Sequence, residues 1–272
     1  MSMVTCYILD TGYCTAHTHH IMQGGAREVI ACHSLVALIH HPHRGWGLWD
    51  TGYAPRMQDL TRRWPWWLHG QMTPLHILSQ LAVVAQLPRF GLTAGDIRWI
   101  VLSHMHADHI AGLRDFPHAT IFVTEAAYRN VAHLSGIQAL RRAFMPDLLP
   151  ADFVERAVWI SDFNAPPLPG LGATHDLFGD GTLRLVDLPG HARGQIGMLV
   201  TTAERQILLA ADGAWMTQSI RERRSPSRLT ALIVDDWQAV QTMLDRLHTF
   251  AVACPDVALI PTHCPEAYAR EV

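Results

Sequence analysis

Ten residues constrain this chain more than any others. Ser103-His104-Met105-His106-Ala107-Asp108-His109-Ile110-Ala111-Gly112 crowds three imidazoles and one carboxylate into six consecutive positions, directly after the apolar run Trp99-Ile100-Val101-Leu102. In an extended segment His104 and His106 point to one face, and Asp108 and His109 follow where the chain turns into a helix start. So many titratable groups at an apolar strand end are unfavourable unless paired, solvated or metal-bound. Imidazole is the commonest metal ligand, and a carboxylate beside it suits zinc, manganese, iron or cobalt. The bland alternative is a solvated histidine-rich loop; the His-x-His-x-Asp-His spacing behind a strand favours a metal loop, one half of a two-metal site.

At 272 residues with 49% hydrophobic content, the chain can bury a sizeable core, and one domain over 1–272 is the simplest reading. A formal net charge of −3 without a long basic run argues against nucleic acid or an anionic membrane surface as partner. All 21 basic residues are arginine, which excludes Schiff-base chemistry, a pyridoxal phosphate anchor and a Walker-type phosphate loop. Five cysteines, Cys6, Cys14, Cys32, Cys254 and Cys264, are scattered and odd in number, so no disulfide framework is expected and a reducing compartment fits. The stretch Met1 to Asp10 has neither a basic n-region nor a long apolar core. The expectation is a cytoplasmic protein without signal peptide or membrane span.

In chain order, Val4 to Leu9 reads as a strand ended by an Asp10-Thr11-Gly12 turn, and His17, His19 and His20 as surface or pocket-rim histidines in a loop. Ser34–Ile39 and Gly47–Trp49 read as a hairpin closed by Asp50-Thr51-Gly52, with Asp50 a turn-former rather than a catalytic group. Residues 55–92 carry Trp64-Pro65-Trp66-Trp67, which reads equally as core or as the wall of a cleft. A helix is expected after Thr73-Pro74 with Leu75, Leu78, Ala82 and Ala85 on one face. Arg98–Leu102 is a buried strand delivering the histidines. Ala119–Val123 is another strand, Glu125–His133 a helix, and Ile137–Arg156 a set of short helices packed as a lid. The charged run Arg221-Glu222-Arg223-Arg224 reads as a solvated loop. From residue 174 strands dominate, with a capped helix from Asp235 or Asp236 burying Trp237, Val240, Leu244 and Leu247. Three more ligand-type residues follow strands or turns: His191 after Leu188-Pro189-Gly190, Asp212 after Gln206–Ala210, and His263 after Val257–Ile260. Cys264 beside His263 reads as a core residue.

Taken together, Ser-His-Met-His-Ala-Asp-His-Ile-Ala-Gly, Pro189-Gly190-His191, Ala211-Asp212-Gly213 and Pro261-Thr262-His263 resemble the metallo-β-lactamase fold superfamily in its dinuclear hydrolase form. The resemblance covers nearly the whole chain, since Leu48-Trp49-Asp50-Thr51-Gly52 is similar to that family's first hairpin. It implies an α/β fold, a four-layered αββα sandwich with the site at one sheet edge. It also implies His104, His106 and His191 on a first metal, Asp108, His109 and His263 on a second, and Asp212 bridging two divalent ions, zinc by default. A hydroxide held between such ions attacks a carbonyl, and Asp108 relays a proton to the leaving group.

Within the superfamily the chain most resembles the N-acyl homoserine lactone lactonases, which implies a small-molecule lactone or ester substrate with an apolar acyl part; a homodimer is left open. One departure is Trp215, which stands where those lactonases usually carry a tyrosine. Its indole offers an N–H but no phenolic proton, so Trp215 is expected to hold a carbonyl and, with Trp64, Trp66 and Trp67, to shape an acyl pocket. A glyoxalase-II-like thioesterase, another ester or phosphodiester hydrolase, and an iron-dependent redox enzyme on the same scaffold are the alternatives.

Overall fold

The computed structural model describes residues 3–272, so Met1 and Ser2 of the N-terminal stretch read above lie outside the described residues. Two sheets face each other. The first contains β1 (Thr5–His17), β2 (Val29–His41), β3 (Gly45–Trp49), β4 (Leu75–His76), β5 (Ile97–Val101), β6 (Thr120–Thr124) and β7 (Ala157–Ile160), in the order β4-β1-β2-β3-β5-β6-β7. Its β1–β2–β3 part is antiparallel and its β3–β5–β6–β7 part is parallel. The second contains β8 (Ala165–Leu168), β9 (Gly172–Asp176), β10 (Leu183–Asp187), β11 (Ile196–Thr201), β12 (Gln206–Ala211) and β13 (Ala258–Pro261), ordered β13-β12-β11-β10-β9-β8. Among the described residues, only β12 and β13 run parallel in it.

Period-two alternation assigns the layers. In β2, Leu35, Ala37 and Ile39 enter the core between the sheets, whereas Val36 and Leu38 join the cluster on the outer face. In β12, Ile207, Leu209 and Ala211 face inward, while Leu208 and Ala210 pack outward with Met243, Leu244, Leu247 and Phe250. Those last four belong to the long helix Trp237–Ala253, capped by the Asp236 carboxylate, which accepts from the Ala239 N–H. Helices therefore cover both outer faces, and the architecture is the four-layered αββα sandwich that the resemblance implies.

Several local expectations are corrected. Asp10-Thr11-Gly12 is not a turn but a bulge inside one thirteen-residue strand. Gly12 has φ +119°, and a Cβ there would meet the His76 carbonyl oxygen at 2.7 Å. Thr18–Ile21 is a single helical turn rather than a loop. The helix expected after Pro74 is broken into β4, a 3-10 turn Ser79–Leu81 and a short helix Val83–Gln86, and Leu78 is 53% exposed. Trp237 is only partly buried, unlike Val240, Leu244 and Leu247. The Arg221–Arg224 run is no open loop. Arg221 lies in the helix Thr217–Glu222 and pairs with Glu266, Arg223 pairs with Asp245, and Arg224 with Glu222. The tryptophan segment divides: Trp66 is buried in the outer cluster with Tyr53 and Met57, whereas Trp64 and Trp67 are 71% and 48% exposed.

Candidate metal centre

All seven candidate ligands come from strand ends at one edge of the sandwich. β5 ends at Val101, and the chain passes His104 to an extended His106 before the turn Ala107–Ile110 lifts Asp108 and His109. The Ser103 carbonyl accepts from the Ile196 N–H at 2.9 Å, tying this loop to the start of β11 in the other sheet. Just before β11, His191 follows Gly190, whose φ is +131° and whose missing Cβ would lie 2.5 Å from the Val240 nitrogen. Only glycine lets the His191 loop sit this close to the long helix. Asp212 follows Ala211, held at φ +46°, and His263 follows β13. The Thr262 N–H donates to the Ala211 carbonyl at 3.0 Å, which binds those two approaches together.

The side chains converge in three overlapping groups: His104, His106 and His191; His104, His109 and Asp212; and Asp108, His109 and His263. Within each, one nitrogen or oxygen per residue lies within 4.8 Å of the others. Asp212 Oδ2 is 3.2 Å from Nε2 of both His191 and His263, and Asp212 Oδ1 is 3.5 Å from His109 Nε2. Asp108 Oδ2 lies 3.3 Å from His263 Nε2. Outward-facing nitrogens are pinned. His104 Nδ1 meets Ser103 Oγ at 2.9 Å, His109 Nδ1 meets Asp50 Oδ2 at 2.8 Å, and His263 Nδ1 meets the His33 carbonyl at 2.6 Å. This leaves Nε2 of each aimed inward. His104 Nε2, His109 Nε2 and Asp212 Oδ1 are buried without any hydrogen-bond partner. Buried polar atoms are rarely left so, and a cluster of inward nitrogens and carboxylate oxygens is the donor set that borderline divalent cations take.

Burial pushes His104, His106 and His191 below the usual histidine range, helped at each by neighbouring imidazoles. Burial acts the same way on His109, but the carboxylates of Asp50, Asp108 and Asp212 outweigh it and push His109 up to about 10. His263 is likewise raised against its burial by Asp212 and Asp108. Burial would raise Asp108 and Asp212, yet the imidazoles of His109 and His263 hold Asp108 down, and His263, His191 and His109 hold Asp212 down. Both carboxylates are therefore ionised and face cationic partners.

Asp50 does more than form a turn. Fully buried at φ +57°, it accepts from the Ser103 N–H and Oγ, each at 2.7 Å, as well as from His109. Its place at a strand end in Trp49-Asp50-Thr51-Gly52 was the signal available in the sequence. Ser103, Thr51 and Ser34 went unnoticed: Thr51 donates from both its N–H and its hydroxyl to the His109 carbonyl, and Ser34 Oγ donates to the Asp108 carbonyl at 3.0 Å. Trp215 stands beside the centre with its ring edge-on to His191, but its indole N–H donates to Asp212 Oδ2 at 3.1 Å. Ile21, Ala214, Trp215, Val234, Val240 and Leu244 line an apolar cleft that opens on His191 and Asp212. Trp64, Trp66 and Trp67 do not line it. Cys264 is buried and accepts from the Thr217 N–H, as expected of a core thiol. His17, His19 and His20 cluster with ring centroids 4.2–5.5 Å apart.

Comparison with known proteins agrees with this architecture. The chain is 30% identical to an N-acyl homoserine lactonase AttM of Azorhizobium caulinodans over 98% of its own length and 96% of the relative's. It is 31% identical to the AttM lactonase of Rhizobium radiobacter over 69% of its own length, a match that spans 65% of that relative. A solved N-acyl homoserine lactone hydrolase, with N-hexanoyl-L-homoserine bound at its catalytic metal centre, superposes with a TM-score of 0.76 at 17% identity, covering 99% of this chain and 97% of that one. The family model of the metallo-beta-lactamase superfamily matches residues 29–254, and the chain belongs to that superfamily.

Proposed function

We propose that this chain is a metal-dependent lactonase that opens an acylated lactone or a close ester. The observation that carries the reading is the inward convergence of seven side chains, with the outward nitrogens of His104, His109 and His263 already pinned by Ser103, Asp50 and the His33 carbonyl. His104, His106 and His191 would hold one divalent ion, Asp108, His109 and His263 a second, and Asp212 would face both. Such a pair of ions lowers the pKa of water and polarises a carbonyl. The donor set of nitrogen and oxygen makes zinc the first choice, with manganese, iron and cobalt compatible.

The chain's own residues then do the rest. The Asp108 carboxylate is ionised and is the more exposed of the two carboxylates, with 21% of its side chain open against 4% for Asp212. Asp108 is therefore the group placed to take the proton released by the attacking water and return it to a departing alkoxide. The apolar side chains beside His191 are the surface against which the acyl chain would pack. Trp215 holds Asp212 rather than a substrate carbonyl in this state, so its part is to orient that carboxylate and to wall the cleft. The similarity to AttM lactonases over nearly the full chain supports the lactone as substrate class.

The test is a hydrolysis screen of the metal-loaded chain against acyl homoserine lactones of several chain lengths, simple lactones, aryl esters, thioesters and phosphodiesters, with metal content measured on the same sample. Two divalent ions per chain and preferred turnover of acyl lactones are expected. Preferred turnover of thioesters or phosphodiesters, or full activity with fewer than two ions, would overturn the assignment.

A further inference from the structure

Cys14 and Cys32 stand directly opposite each other where β1 pairs with β2. Opposed residues of an antiparallel pair keep their Cα atoms about 4.5–5.5 Å apart with side chains on one face, inside the roughly 4.4–6.8 Å that a disulfide spans. Both are buried free thiols, and they share one apolar cluster with Ile21 and Met216, against which Trp215 packs. The other cysteines are placed differently: Cys6 opposes Ile39, Cys264 takes the Thr217 N–H, and Cys254 ends the long helix.

The Cys14 and Cys32 thiols lie within hydrogen-bonding reach of each other. The next residue after Cys32 is His33, whose carbonyl accepts from His263 Nδ1 at 2.6 Å and whose ring stacks on Tyr268 at 3.6 Å. A change in the backbone at Cys32 therefore reaches one of the seven converging imidazoles through a single residue.

We propose that Cys14 and Cys32 form a peroxide-sensitive modification site, oxidised to a disulfide that loosens the metal centre through His33. Cys14 sulfur attacks hydrogen peroxide, breaking its O–O bond and becoming a sulfenic acid; the hydroxide released takes the Cys14 proton and leaves as water. Cys32 sulfur then attacks the sulfenic sulfur, the S–S bond forms, and the departing hydroxide takes the Cys32 proton as a second water. Two electrons pass from the two sulfurs to the peroxide. Drawing the two Cβ atoms to disulfide distance shifts β2 at Cys32 and with it the carbonyl that orients His263. Groups that orient metal-binding residues are worth about 10–100-fold in affinity or activity.

The experiment treats the full-length, metal-loaded chain with hydrogen peroxide under native conditions, blocks remaining thiols by alkylation and maps the peptides. Expected are a cross-linked Cys14–Cys32 peptide, three alkylated cysteines in place of five, and an about tenfold or greater drop in resistance of bound metal to a chelator. Dithiothreitol should restore both, which separates this change from methionine oxidation. Cys14→Ala and Cys32→Ser should each remove the cross-link and the peroxide-induced loss of metal; either variant alone suffices if the other fails to fold. Both thiols alkylated after peroxide, a sulfinic acid at Cys14 without a cross-link, or a cross-link that leaves metal retention unchanged would each overturn the proposal. The proposal rests on the metal site proposed above, but metal retention is read without reference to the ester cleaved, so its failure is distinguishable from failure of the lactone assignment.

Discussion

Asp50 is not among the seven converging residues, yet it sets the direction of one of them. By accepting from His109 Nδ1 it fixes the tautomer that presents Nε2 inward, and by accepting twice from Ser103 it holds the strand end that carries His104. Replacing it with alanine leaves that buried imidazole N–H only the Ser103 hydroxyl at 3.3 Å and strips the Ser103 N–H of its acceptor, a cost of about 1–3 kcal/mol. Asp50→Ala is therefore expected to weaken zinc binding about 10–100-fold without removing a ligand, read by competition with a chromogenic chelator. Asp108 acts at another level, since it is assigned both to an ion and to the leaving group. In Asp108→Asn, matched to wild type in metal content, kcat should fall by about 10²–10⁴; undiminished turnover would remove the proton relay. Trp215→Phe keeps the cleft wall and deletes only the N–H to Asp212. A charge-assisted bond of that kind contributes about 1.5–3 kcal/mol, so the variant should lose roughly tenfold or more in kcat/KM while keeping the same preference among acyl chain lengths.

At the scale of elements, the parts of the chain that carry the centre were legible because each is a buried strand followed by a turn. Arg98–Leu102 and Gln206–Ala210 lie within a residue of β5 and β12. Residues 55–92 were not legible, because the apolar residues there obey no single period. Pro74 and Pro88 interrupt any helix, and the segment packs through isolated side chains such as Trp66 and Val83 rather than through one stripe. Asp50 and Asp10 misled for a related reason: Asp-Thr-Gly reads as a turn in both places, while its bonds are long-range at Asp50 and within a strand bulge at Asp10. The long helix shows the opposite, a signal readable to its cap. Asp236→Ala deletes the bond to the Ala239 N–H and should cost about 1 kcal/mol, a fall of about 2–4 °C in melting temperature with little change in turnover. Gly190→Ala meets the same helix from the other side, where a Cβ would press on the Val240 backbone. It should lower both stability and metal content, because His191 is the next residue.

For the molecule as a whole, the centre couples folding, protonation and metal. Without ions, His109 and His263 are held protonated by Asp50, Asp108 and Asp212, whereas His104, His106 and His191 are buried neutral. The signs are opposite. The raised pair contributes stability that is complete below the unfolded histidine pKa of about 6.5 and is lost as pH rises, for His109 through about 10. The depressed trio contributes stability that is present above about 6.5 and is lost as pH falls. The metal-free chain should thus be most stable near pH 6.5, with melting temperature dropping on either side and, on the alkaline side, falling progressively up to about pH 10, where the His109 contribution is exhausted. Metal binding requires neutral imidazoles, so filling both positions at pH 7 should expel about two protons per chain, those of His109 and His263. Calorimetric titration with zinc in buffers of different ionisation enthalpy measures that number directly. Occupied by ions, the site replaces the protons as the counter-charge of Asp108 and Asp212, so the loss of stability on the alkaline side should disappear from the melting curves of the loaded chain. Zero proton release at pH 7, or an alkaline loss that persists with metal bound, would show that His109 and His263 do not sit on the ions.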